Sequence, residues 1–133
     1  MSEKVFLSAR FDRWREMQGY ALDLAELGYT VVSSWHSGDH VREHGDNDSA
    51  PSPTQQEAWA RQDIADLKTA DYFITFTEDQ RGYMRGGRHV EFGMALCCDV
   101  DLIAVVGPTE HIFHTLADEF YDTWEELLRE WST

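Results

Sequence analysis

The segment Arg85-Gly86-Gly87-Arg88-His89-Val90-Glu91-Phe92-Gly93 brings glycine, arginine, histidine and a carboxylate together in one short run. Two glycines before a helix present backbone N–H groups to an anion, and the helix dipole assists. Glu91 falls in the first turn of the predicted helix. A carboxylate there complements the dipole; at the mouth of a sheet it can equally act as a nucleophile or stabilise positive charge. From the GGxxxE spacing alone the dipole reading is favoured, since the pattern is a common one. The segment is not a P-loop, since no GK[ST] follows, nor a G-x-G-x-x-G after the first strand. A second candidate carboxylate, Asp63, lies in ARQDIADLKTAD with Asp66 and Asp71. Asp66 reads as part of a solvated helix face and Asp71 as the entrance to a strand. Asp63 can point to either side, as a structural group or as an acid.

The basic residues are few and unevenly spread. Against 25 acidic residues and a net charge of −14 stand 11 cations, of which only Lys4 and Lys68 are lysines. Arg10, Arg13 and Arg15 form one cluster, and Arg81, Arg85 and Arg88 another. That placement suggests an anionic group on a small ligand, most simply a phosphate. So acidic a surface repels nucleic-acid phosphates, and no nucleic-acid polymer is expected as a partner. His36, His40 and His44 have the spacing of a metal face on a helix. The glycines and aspartates around them argue for a loop instead, and no metal is expected.

These residues need elements to hold them. Lys4 to Ser8 (KVFLS) reads as a buried strand. Asp12 to Leu27 carries Trp14, Met17, Tyr20, Ala21, Leu24 and Leu27 at helical spacing, with Gly28 past its end. Tyr29 to Ser33 is a second strand, and residues Trp35 to Pro53 form a long polar loop. Thr54 and Glu57 make a capping box for a helix over Gln55 to Thr69, with Ala58, Ile64, Ala65 and Leu67 facing inward. Ala70 to Phe76 is a third strand, Arg88 to about Cys98 a helix, and Leu102 to Val106 a fourth strand. Glu119 to Trp131 is a last amphipathic helix with Phe120, Trp124, Leu127, Leu128 and Trp131 on one face.

The alternation predicts one α/β domain over residues 1–133: a small doubly wound, mainly parallel sheet with helices on both faces, of flavodoxin or Rossmann-like type. In such sheets, ligands bind outside the carboxyl ends of the strands. That rule selects Ser8 to Arg15, Ser34 onward, Thr77 to Glu91 and Gly107 to His114. No apolar run approaches the ~20 residues of a membrane span, and MSEKVFLSAR has no signal-peptide pattern. A cytoplasmic protein without membrane partners is expected. Adjacent Cys97 and Cys98 read as buried free thiols.

The pattern KVFLSARF, then D-x-x-x-L-x-x-A-D before an apolar strand, then GGRHVEFGMAL, then an apolar strand ending in Val-Gly resembles the nucleoside 2-deoxyribosyltransferase superfamily. That group includes the 2′-deoxynucleoside 5′-phosphate N-hydrolases, and the resemblance spans roughly Lys4 to Phe113. It implies cleavage or transfer of the N-glycosidic bond of a deoxyribonucleoside or its 5′-monophosphate. It places the nucleophilic carboxylate on Glu91 and the acid that assists the base on Asp63. Ser8 and Arg10 would face the sugar or 5′-phosphate, and Arg85 and Gly87 would hold phosphate. It also implies homodimers or larger homo-oligomers with shared sites, and no metal or organic cofactor. Where many members carry a Tyr that hydrogen-bonds the nucleophile, this chain has Phe6, so Tyr83 or His89 would have to substitute. Its ending, EELLREWST, has no Asn, which favours a hydrolase or nucleotide-specific member over a transferase.

Beside this frame, Trp35 and His36 are placed to stack on or cover a base. His111 and His114 read as surface residues, and Trp124 and Trp131 as core or subunit interface. A non-catalytic nucleotide-binding sensor on the same fold is the alternative function, kept open by Phe6. A doubly wound module for another ligand ranks last, because no flavin-phosphate loop follows the first strand.

Overall fold

The structure, a computed structural model, describes residues 2–37, 52–79 and 86–133. The elements run β1 (Lys4–Ser8), α1 (Trp14–Glu26), β2 (Thr30–Val31), α2 (Pro53–Thr69), β3 (Tyr72–Phe76), α3 (Gly87–Cys97), β4 (Leu102–Val106), β5 (Glu119–Tyr121) and α4 (Trp124–Trp131). Single 3₁₀ turns at Phe11–Arg13 and Ile112–Leu116 precede α1 and β5. The strands form one sheet in the order β2-β1-β3-β4-β5, every pair parallel. This is the doubly wound α/β arrangement expected from the sequence. The strand order reverses between β1 and β3, which makes that edge the crevice where such folds take ligands.

Period-two alternation along the strands sorts the two faces. Leu7, Phe76 and Tyr72 lie on the face of α1 and α4, where Tyr20 stacks on Phe76 and on Trp124 at 5.3 and 4.3 Å. Trp124 Nε1 donates to Asp23 Oδ2 at 2.9 Å, tying α4 to α1. On the opposite face Phe6 stacks on Phe73 at 5.7 Å, and Phe73 meets Phe92 of α3 at 6.3 Å. The central strands β1, β3 and β4 are apolar nearly throughout because helices cover both sides.

Several local expectations are corrected. Glu119 to Tyr121 is a fifth strand rather than the start of the last helix; Thr123 caps α4 by accepting from Glu126 N at 3.2 Å. Ser52, not Thr54, caps α2, with Pro53 in the first helical position. Helix α2 turns the stripe Asp63, Asp66, Leu67 and Ala70 toward the sheet and leaves Ala58, Ile64 and Ala65 exposed. Hydrogen bonds to Asp66 win that rotation over the apolar count. Cys97 and Cys98 are free, but Cys97 is exposed. No helix among the described residues is long and apolar enough to cross a membrane.

Gly107 closes β4 at φ +112°, and a Cβ there would lie 2.3 Å from Thr77 Oγ1. Its N–H reaches Tyr121 C=O at 2.8 Å, so the position joins three strand ends. Gly107→Ala is expected to lower stability in urea unfolding by roughly 1–3 kcal/mol. A double-mutant cycle with Thr77→Ala should recover the steric share and leave the backbone share; an unchanged midpoint in Gly107→Ala would refute the account.

Candidate active site

Ser8, the last residue of β1, is fully buried and shares its face with Phe6. Its hydroxyl donates to Glu91 Oε1 of α3 at 2.7 Å. Glu91 is the fifth residue of α3, so it lies in the second turn rather than the first. That depth removes it from the helix terminus and sets it under the sheet's carboxyl edge. Asp63 of α2 approaches from the other side, close enough to hydrogen-bond with Glu91 and to feel its charge. Asp63 Oδ1 is buried without a hydrogen-bond partner among the described residues.

Burial is the main cause that pushes Glu91 up to about 8; Ser8 pulls it back, while the charge and hydrogen bond of Asp63 push it further. Burial likewise leads in raising Asp63 to about 6, with the charge of Asp66 adding to it and the hydrogen bond with Glu91 opposing. The two carboxyls titrate as a pair, and near neutral pH they hold one proton between them, resting on Glu91, which is pushed higher than Asp63. A carboxyl pair in which one member is ionised and the other protonated is equipped for nucleophilic attack and for proton donation. Asp66 is not solvated helix face: it accepts from Ser34 N at 3.0 Å, Ser34 Oγ at 2.6 Å and Gln62 Nε2 at 2.7 Å. Asp71 does mark the strand entrance, accepting from Lys4 N at 2.9 Å.

The first arginine cluster is engaged by the protein's own acids. Arg10 pairs with Asp12 and Glu78 at 3.2 and 3.6 Å, and Arg13 with Glu16 and Glu78 at 2.7 and 2.8 Å. Arg15 lies over the Trp14 ring. Arg88 is buried and forks onto both oxygens of Glu110. Burial pushes Glu110 up, but the hydrogen bonds and charge of Arg88 outweigh it and hold the carboxyl below its ordinary value. Clustering in sequence therefore does not mean free positive charge at these positions. Arg81, Tyr83 and Arg85 lie outside the described residues, as do His40 and His44. Gly86 starts α3 in the left-handed region at φ +84° with no side-chain cap, and open space surrounds both Gly86 and Gly87.

Trp35 and His36 are buried as wall rather than offered as a stacking surface. Strand β2 leaves β1 after Val31, and side chains continue its ladder: Leu7 N–H donates to Ser33 Oγ at 3.1 Å, and Trp35 Nε1 donates to Leu7 C=O at 2.6 Å. His36 Nε2 meets Ser33 Oγ at 2.9 Å, and its carbonyl accepts from Gln18 Nε2 at 2.8 Å.

The histidines after β4 are also drawn inward. His114 is fully buried, and its Nδ1 accepts from Glu110 N at 3.1 Å. Burial pushes it down to about 4, so it is neutral, and its remaining proton sits on Nε2. His89 Nδ1 and His111 Nε2 share a hydrogen bond at 3.0 Å. His89, His111 and His114 have ring nitrogens near enough for a metal ion. The tautomer that Glu110 imposes on His114 leaves its Nε2 no lone pair to give, so the trio reads as a clasp between α3 and the segment after β4. His89 is thus committed to His111, and Ser8 supplies the donor to Glu91. Neither Ser8 in that role nor the Glu110 partner of Arg88 was read from the sequence. The period-two rule, which puts Ser8 on the face of Phe6, was the available signal.

A doubly wound α/β domain with a partly buried carboxyl pair at its switch point is what the fold and geometry define. Two solved structures share this fold. One is the 2-deoxyribosyltransferase of Bacillus psychrosaccharolyticus, at TM-score 0.69 and 17% identity, over 94% of this chain and 90% of that one. The other is the CMP N-glycosidase BcmB of Clostridium botulinum, at TM-score 0.60 and 21% identity, over 96% and 97%. No protein-family model matches the chain, and no curated protein does. The resemblance read from the motifs thus extends to the fold, across nearly the whole chain.

Both carboxyls ionise at higher pH when folded than when unfolded. Between the ordinary carboxylate range and about pH 8 the native state binds more protons than the unfolded chain, so the stability they contribute falls as pH rises. Glu91→Gln should melt above wild type at about pH 8.5 and lose less stability from about pH 5 upward. A decline as steep as wild type in differential scanning fluorimetry would refute the burial of Glu91.

Proposed function

We propose that this protein cleaves or transfers the N-glycosidic bond of a 2′-deoxyribonucleoside or its 5′-monophosphate. The observation that carries the reading is the Ser8–Glu91–Asp63 constellation under the β1/β3 crevice. The likeness in fold to an enzyme named for deoxyribosyl transfer and to a CMP N-glycosidase supports it.

N-glycosidic cleavage passes through an oxocarbenium-like state, which a nearby carboxylate stabilises and can capture. The shared proton passes from Glu91 to Asp63 across their hydrogen bond, and ionised Glu91 then attacks C1′, forming a glycosyl ester as the C1′–N bond breaks. The electron pair leaves with the base, and the proton of Asp63 neutralises it. Asp63, now ionised, takes a proton from water or from an incoming base as that nucleophile displaces Glu91. Water makes the protein a hydrolase, and a second base makes it a transferase. The single proton held by the pair is the number this cycle needs.

Arg85 and the open backbone at Gly87 are the proposed phosphate contacts, with Arg10 contributing once it leaves its acidic partners. Trp35 and His36 shape the wall beside the sugar. Exposed Val90, Ile112, Phe113, Leu116 and Phe120 are consistent with a homo-oligomer. The sensor alternative drew on Phe6, and Ser8 weakens it by supplying a hydrogen bond to Glu91 that Phe6 cannot.

Base release by HPLC from deoxynucleosides, their 5′-monophosphates and the ribonucleotide CMP, with and without a second free base, tests the proposal. Glu91→Ala should remove release by at least about 10³-fold. Asp63→Asn should slow it by roughly 10²–10⁴-fold, most for the bases that leave least readily. Folded wild type that releases no base from any of these substrates would overturn the reading.

A further inference from the structure

We propose that Ser8 is the positioning residue that orients Glu91 and favours its ionised form against the burial that opposes it. The inference rests on the glycosidic reading above and adds a role for a side chain that the motif itself would assign to sugar or phosphate.

The distribution of donors carries it. Ser8 has one hydroxyl proton, and it is given to Glu91 Oε1 at 2.7 Å in a fully buried position. A hydrogen bond donated to a carboxylate favours its charged form. Asp66, one turn along α2 from Asp63, collects three donors from Ser34 and Gln62. Asp63 between them has a buried oxygen with no partner among the described residues. The hydrogen bond between the two carboxyls favours the proton on Glu91, and Ser8 is the group that opposes that hold.

Among the described residues, the groups that act on Glu91 are Ser8 from β1 and Asp63 from α2, with Asp66 acting through Asp63. Strand β3, packed on the same helix, presents apolar Phe73. Burial works against Ser8 by favouring a neutral Glu91. Among the described residues Ser8 is thus the donor that counters desolvation of the nucleophile, and its position on β1 fixes where Glu91 Oε1 is held.

Three variants test this: Ser8→Ala, Ser8→Cys as an isosteric weaker donor, and Ser8→Thr to restore a hydroxyl. In ¹³C-carboxyl NMR without substrate, Ser8→Ala should move the Glu91 titration upward by about one unit or more, with Ser8→Cys between it and wild type. This readout needs no turnover, so it stands apart from failure of the glycosidic reading, which inactive wild type would reveal. With turnover, Ser8→Ala should lower kcat about tenfold or more and shift the acidic limb of its pH profile upward, while KM stays within about twofold. Ser8→Thr should return both toward wild type. An unmoved Glu91 titration in Ser8→Ala overturns the proposal. So does a loss carried by KM and confined to 5′-phosphate substrates, which would make Ser8 a phosphate contact.

Discussion

A carboxyl group held away from water under the edge of a parallel sheet is the constraint on which the rest of this structure turns. Glu91 can sit there only if something meets its charge or its proton, since an uncompensated buried carboxylate costs several kcal/mol. Ser8 and Asp63 meet it from two different elements. Their convergence depends on the aromatic layer Phe6, Phe73 and Phe92, which seats α3 on the face of β1 that Ser8 shares. It also depends on the rotation of α2, which Asp66 enforces through its hydrogen bonds from Ser34. Packing and polar contacts are therefore not separable here: each helix is placed by one and aimed by the other.

The same economy governs the cations. In a chain with net charge −14, an arginine near the sheet edge has abundant acidic neighbours. Arg10, Arg13 and Arg88 are each taken by them. The Arg88–Glu110 pair and the histidine clasp fasten the segment after β4 to the start of α3. Gly86 opens that helix in the left-handed conformation that glycine allows.

The fold was largely legible because its signals are local. Apolar runs at Val5–Leu7, Phe73–Phe76 and Ile103–Val106, alternating with helical periodicity, specify a parallel sheet almost alone. The fifth strand was missed because Glu119–Tyr121 is three residues long at an edge and carries mixed polarity, so its aromatic Phe120 fits a helical stripe as well as a strand. The inward stripe of α2 was misjudged because counting apolar residues ignores an aspartate that has hydrogen-bond donors waiting for it.

The sequence by itself determined that Glu91 and the glycine pair before it would lie beyond the carboxyl end of a central strand, because element order and crossover handedness put that connection there. It left open the side to which Asp63 points. Only the tertiary structure decided which groups touch. Ser8 and Glu91 are 83 residues apart, and Arg88 and Glu110 are 22 apart. Such pairings have no periodicity to announce them. They arise from how far each helix rotates and slides on the sheet, and packing of the whole core sets that.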